Sequence, residues 1–445
     1  MNRRQFVKLV SSAYGLGMVS ANTLNISAQE TSFNDYKCLV SIFLTGGNDA
    51  FNLVTPRSDS EYNIYSQARL SLALDQSDLL PIVPENPDGA DYGFHPKAIA
   101  FQNLFESGKL AIVANTGPLI EPVTKSAFQN GSVAIPNQLF SHNDQRDQWQ
   151  SLAGNSSLDT GWAGRIADLF SSQTGEQKLA LNISAAGGNL FQVGSQTRPY
   201  SIGTSGASAY RALEKRFGFG EERRAAFDKY LAAGFDNIHS RALADVHQRS
   251  LASTDLVNNA LLLAPSFNGL FPSTRLGKRL RIVAKLIAIK DEFYMSRQIF
   301  NVKQDGYDTH DNQNRDQPNL IDNLSRSIGA FNEAMIQIGM EDHVVTFTQS
   351  DFGRSLSSNG DGTDHGWGGH QLVIGNPVFG RKIYGTMPRL EIDGPDDARG
   401  GRMIPTLSVD QYAATLARWF GVEETNLMQI APNLANFTNS DIGFL

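Results

Sequence analysis

Cysteine is nearly absent. Cys38 is the only one in 445 residues, which excludes an internal disulfide and leaves stability to core burial. It follows Asp35-Tyr36-Lys37 and opens the apolar run to Leu44, the setting of a strand residue and not of a lipid-modified cysteine. No run of about eighteen apolar residues occurs, so no transmembrane helix is expected. Basic side chains are outnumbered 38 to 45, for a net charge of −7. Residues 1–28 hold three basic and no acidic residues, so the remainder has 35 against 45 and a net charge of −10. An acidic surface argues against nucleic acid as a partner. Histidine is also scarce, with eight in all.

Two of those histidines fall in one glycine-rich stretch, Ser350 to His370, which carries Asp351, Asp361, Asp364, His365 and His370. It lies behind the apolar run Val344–Thr348, so a buried strand delivers these side chains at its carboxyl end, where open α/β sheets place their sites. Aspartate and imidazole together are metal-ligand chemistry. Hydrophobic residues make up 41% and charged residues 19% of the chain, as in globular enzymes. Short apolar runs at Leu39–Leu44, Leu110–Ala114, Leu179–Ile183, Gln298–Val302, Val344–Thr348 and Gln371–Ile374 predict strands of a mainly parallel sheet. Helical spacing between them (Leu320 to Ile336; Tyr412 to Phe420, with Ser408 or Asp410 as cap) predicts an α/β layered fold. Residues 205–264 look like a helical insertion. A basic helix over Thr274–Lys290 reads as packed on one face and solvated on the other.

The N-terminus reads as an address. Asn2-Arg3-Arg4-Gln5-Phe6-Val7-Lys8 precedes a mildly apolar segment and resembles a twin-arginine export signal, covering 1–28, for a periplasmic or secreted protein. Its partner would be the twin-arginine translocation machinery.

Four polar clusters follow strand ends. Gly46-Gly47-Asn48-Asp49 follows the first strand, and its glycines permit a tight backbone turn. Ser141-His142 offers a nucleophile with a neighbouring base, or the start of a capped helix. Asp308 and His310, two apart in extended backbone, could grip one metal. In the fourth cluster Asp351 joins His365 and His370, and Arg354 could clamp a tetrahedral anion or pair with an aspartate.

Taken in order, GGNDAFN, FGFHPK, LFSHNDQRDQWQ, TGWAGRIAD, YDTHDNQ, SDFGR and DHGWGGH resemble the bacterial domain of unknown function 1501 family, over about Cys38 to Phe437. That family looks like a branch of the alkaline phosphatase and sulfatase superfamily. The resemblance implies a three-layer α/β domain over 38–437, with the helical insertion inside it. It implies Ser141 as nucleophile and Asp49, Asp308, His310, Asp351, His365 and His370 as ligands of one or two divalent metals. Zinc, manganese or iron suit mixed Asp/His donors; calcium and magnesium are further options. Two spacings depart from the superfamily: Phe352, not histidine, follows Asp351, and Asp308 and His310 are two apart where four is usual. Sulfatases that mature a cysteine are excluded, because Leu39-Val40-Ser41 follows Cys38. The expected function is exported, metal-dependent hydrolysis of a phosphate or sulfate ester, small or glycan-linked. The alternative is a noncatalytic glycan- or protein-binding member of the same fold.

Overall fold

The computed structural model describes residues 33–445 except 175, 176, 208, 209, 211, 212 and 214–217. The export signal expected at 1–28 lies outside the described residues. In chain order the strands are β1 (Lys37–Thr45), β2 (Val54–Pro56), β3 (Leu80–Ile82), β4 (Tyr92–Phe94), β5 (Leu110–Gly117), β6 (Asn182–Ser184), β7 (Tyr200–Ser201), β8 (Arg297–Asp305), β9 (Val344–Ser350), β10 (Arg354–Ser358), β11 (Thr363–His365), β12 (Gly369–Ile374), β13 (Ile383–Tyr384) and β14 (Leu407–Ser408). Among the described residues, nine of them form one sheet in the order β13, β5, β12, β9, β1, β8, β6, β7, with β14 also on β5. Within this sheet, among the described residues, every pairing is parallel except those of β12, which runs antiparallel to β5 and β9.

Side-chain alternation divides each central strand between two cores. Val40, Ile42 and Leu44 of β1, Phe300 and Val302 of β8, and Ile112 of β5 enter one core, with the helices Ile99–Glu106, Arg275–Ala288 and Gln313–Gln337. Leu39, Ile299, Val345, Phe347 and Val113 enter the other, with the helices Trp162–Phe170 and Val409–Phe420. A sheet covered on both faces must be apolar at consecutive positions, which is why its strands read as unbroken runs. Each fully buried Leu, Ile or Phe contributes about 1.5–3 kcal/mol relative to exposure. The mainly parallel, helix-covered sheet expected from the sequence is therefore the fold, with β6 shorter than the run that suggested it.

Helix ends follow local chemistry. Ser408 caps Val409–Phe420 in a capping box with Gln411, and Thr274 caps Arg275–Ala288 through the Gly277 amide. Two helices, Gly220–Leu231 and Ile238–Ala260, occupy the stretch 205–264. No described helix is long and apolar enough to cross a membrane.

Register brings the polar clusters together. Thr45 at the end of β1 is level with Asp305 at the end of β8, and Leu44 with Ser350 at the end of β9. Because β12 runs the opposite way, its first residues lie at that same edge. Segments some three hundred residues apart thus open onto one rim.

Candidate metal centre

Asp308 and His310 leave β8 after the turn at Gly306. His365 ends β11, a short strand that pairs Arg354 with His365 across a two-stranded ribbon. His142 is the first residue of the helix His142–Ser151, and Phe140, two residues earlier, adopts the left-handed region at φ 71°. His142, Asp308 and His365 each offer a ligand atom, and these atoms lie within 4.8 Å of one another. That is inside the roughly 3–5 Å expected of donors around one ion.

The histidines are oriented from behind. His142 Nδ1 donates to Asp351 Oδ2 at 2.8 Å, and His365 Nδ1 donates to the Phe140 carbonyl at 2.8 Å. His310 Nδ1 stands 3.3 Å from Asp364 Oδ1. All three rings then turn Nε2 toward Asp308 Oδ1, at 3.3 Å from His142, 3.1 Å from His310 and 3.6 Å from His365. His142 Nε2 is buried and makes no hydrogen bond. His310 Nε2 and His365 Nε2 are 2.9 Å apart. With both Nδ1 positions facing acceptors, two lone pairs confront each other there, an arrangement that calls for a proton or a cation between them. Imidazoles whose far nitrogen is held by a carboxylate or carbonyl are the usual form of metal-ligating histidine.

Electrostatics agree with this geometry. Partial burial opposes ionisation of Asp308, but the Arg354 guanidinium, 2.6 Å away, outweighs it together with His142 and His310. The carboxyl stays below its usual range. Burial pushes Asp351 above that range, against the pull of His142 and the Gly46 amide. Its second oxygen, Oδ1, is buried without a partner. Burial lowers His365, and His142 and Arg354 add to this against the Phe140 carbonyl. Phe352 packs on His142 and on His365, each with ring centroids 4.8 Å apart, as an apolar wall.

Several residues singled out from sequence take other tasks. Asp49 does not join the group: Arg69 and Gln313 occupy Oδ2, and the amides of Phe51 and Asn52 occupy Oδ1. His370 is turned away as well. A register shift in β12 between Gly369 and Gln371 lets its Nδ1 accept from the Asn115 amide at 3.1 Å, replacing a ladder bond. Full burial holds its pKa down at about 3, so it stays neutral. Arg354 is fully buried and is no open anion clamp, since its N–H groups go to Asp308, Gly46 O and Thr363. It positions Asp308. Asp351 stands behind His142, and Ser141 adjoins His142 with its hydroxyl donating to Asp144 Oδ2 at 2.5 Å. Sequence alone offers His142 only as a base neighbouring Ser141, and the run Phe140-Ser141-His142 is the signal for it.

Gly46 joins the two halves. Its amide donates to Asp351 and its carbonyl accepts from Arg354. It sits at φ 116°, and a Cβ there would lie 2.4 Å from the Asp308 nitrogen. Gly46→Ala is expected to cost about 1–3 kcal/mol of stability from strain alone and to loosen Asp308 and Asp351 together. Chemical denaturation and metal uptake measured on one preparation check both effects.

The family described as Protein of unknown function (DUF1501) matches residues 293–427. The matched segment holds Asp308, His310, Asp351, Arg354, His365 and His370, whereas His142, Ser141 and Asp49 lie outside it. No curated protein matches the chain significantly. Similar solved structures include the PsFucS1 sulfatase from Pseudoalteromonas sp., at 7% identity over 96% of this chain and 73% of that one, with a TM-score of 0.35. The soluble domain of lipooligosaccharide phosphoethanolamine transferase A from Neisseria meningitidis is 7% identical over 87% and 88%, with a TM-score of 0.35. A mutant of the alkaline phosphatase PafA is 11% identical over 72% and 64%, with a TM-score of 0.26. Such low scores leave the chemistry of the site to this chain's own residues.

Proposed function

We propose that this protein is a metal-dependent hydrolase of an anionic ester, of phosphate or sulfate type, whose cation is held by His142, Asp308, His310 and His365. The observation that carries the reading is the inward turn of three Nε2 atoms onto Asp308, with each Nδ1 held from outside. One divalent ion would satisfy all four donors. Imidazole-rich donors suit zinc or iron better than calcium, magnesium or manganese. When bound, the ion would polarise the ester and make a nearby hydroxyl or water more acidic.

The chain's own groups do the rest. Arg354 keeps Asp308 ionised and aimed inward. Phe352 limits water on one side of the imidazoles. Ser141 is the candidate attacking group, and Asp144, already accepting its hydrogen bond, is the group to receive its proton. The twin-arginine-like residues 1–28 support export ahead of one catalytic domain over 38–437, and a periplasmic or secreted site of action.

The deciding assay compares metal content and ester turnover in the wild type and Ser141→Ala. The variant should keep its metal and lose about three orders of magnitude or more in turnover. Near-complete hydrolysis by the variant would remove Ser141 as the attacking group and leave water in that role. No turnover of any phosphate or sulfate ester by metal-loaded wild type would overturn the enzyme reading in favour of a binding protein.

A further inference from the structure

Beyond the histidine cluster, the carboxyl edge of the sheet holds a basic cavity of about 590 Å³. Four cationic side chains line it: Arg275, Lys278 and Arg279 from the helix Arg275–Ala288, and Lys303 from β8. No acidic side chain of the described residues lines it. Asp305 pairs from outside with Lys303 at 3.0 Å and more loosely with Arg275 at 3.9 Å. One carboxylate against four cations leaves the cavity strongly positive on a chain whose net charge is −7. Arg279 is only 8% exposed and is fixed by donating to the Lys303 carbonyl, so this is more than a solvated helix face. The opposite walls are the loops after β6 and β7, Ala185-Ala186-Gly187 and Gly203-Thr204, which present backbone and little side-chain bulk.

The cavity also leads somewhere. Ala186 and Lys303 line a second cavity of about 460 Å³, together with Thr45, Asn301, Arg146 and Asp147, whose carboxylate stands 3.8 Å from Arg146. Thr45 precedes Gly46, which binds Asp351, and Arg146 lies on the helix that begins with His142. The two cavities share Ala186 and Lys303, and the second reaches residues that adjoin the candidate metal centre.

We propose that this basic cavity binds a second anionic group of an extended substrate, an acidic polysaccharide carrying several sulfate or phosphate groups, while the ester to be cleaved sits at the histidine cluster. The inference rests on the ester-cleaving reading for its second half only. Walls on two sides, the helix Arg275–Ala288 and the loops after β6 and β7, with the adjoining second cavity, favour a chain laid along the rim over a flat membrane surface. The acidic balance of the whole chain favours a short local subsite over an extended nucleic-acid footprint.

The test is calorimetric titration of the full chain with three dextran oligosaccharides of one length: sulfated, phosphorylated and unmodified. At low salt, the anionic forms should bind, the tighter of the two giving the anion, and the unmodified form should not. Arg275→Glu combined with Lys278→Glu should weaken that binding by about tenfold or more, an effect that shrinks as salt rises. Lys278→Ala, at an exposed position, should weaken it by a smaller factor and guards against misfolding of the double variant. Equal binding of unmodified dextran, unchanged binding by both variants, or tighter binding of duplex DNA would overturn the proposal. Small-ester turnover by the wild type is measured separately. Absent turnover with charge-dependent binding removes the hydrolase reading and leaves the subsite standing, and turnover with variant-insensitive binding does the reverse.

Discussion

Replacing His365 with alanine is expected to lower affinity for a divalent metal by about two orders of magnitude or more. His365 Nε2 faces His310 Nε2 at 2.9 Å and Asp308 Oδ1 at 3.6 Å, so its loss opens the centre of the donor set. Asp351→Asn should act more weakly, by roughly ten- to a hundredfold, because it alters the support of His142 and not a facing donor. The amide oxygen can still accept from His142 Nδ1, but holds the ring more weakly than a charged carboxylate does. His370→Ala should leave metal content unchanged and reduce stability instead, since that ring is bound to Asn115 and packed on Phe51. Metal analysis of the three purified variants reads this order directly. Equal metal content in wild type and His365→Ala would remove the centre, and metal loss confined to His370→Ala would move it to the other side of β12.

The sequence made the sheet, the rim and the residue types visible, but not the partners that decide which polar groups stay free. Unbroken apolar runs announced strands buried on both faces, and the polar clusters behind them marked one edge. Periodicity carries no strand direction, so the antiparallel course of β12, and the bulge that turns His370 inward, left no local trace. Asp49 resembled a ligand because its neutralising cation, Arg69, lies twenty residues on in a helix without any motif. Arg354 looks like an open clamp for the opposite reason: its acceptors are two backbone carbonyls, the Thr363 hydroxyl and a carboxylate from another loop. Ser141 and His142 straddle a helix start, Ser141 in extended backbone as the N-cap and His142 as the first helical residue, so they point in different directions. Only the fold could show which of the two faces Asp308.

Asp49→Ala should destabilise the protein by about 3–5 kcal/mol while leaving metal content unchanged. Arg69 is fully buried, and beyond Asp49 its neighbours are the neutral acceptors Asn52 Oδ1 at 3.0 Å, Ser355 O at 3.1 Å and Leu356 O at 3.2 Å. Removing the carboxylate strands a cation in the interior, which costs far more than the pair itself contributes. The same carboxylate receives Gln313, and the Asp49 carbonyl receives Gln317, so the loop after β1 also loses its hold on the start of the helix Gln313–Gln337. Exchanging both partners for apolar residues, Asp49→Leu with Arg69→Met, should recover most of the lost stability, because no buried charge then remains unpaired. Chemical denaturation of the single and double variants, with metal analysis on the same samples, distinguishes the roles. A stable Asp49→Ala protein stripped of its metal would make Asp49 a ligand after all. An unstable one that still binds metal makes it the counter-ion that holds the rim of the sheet in place.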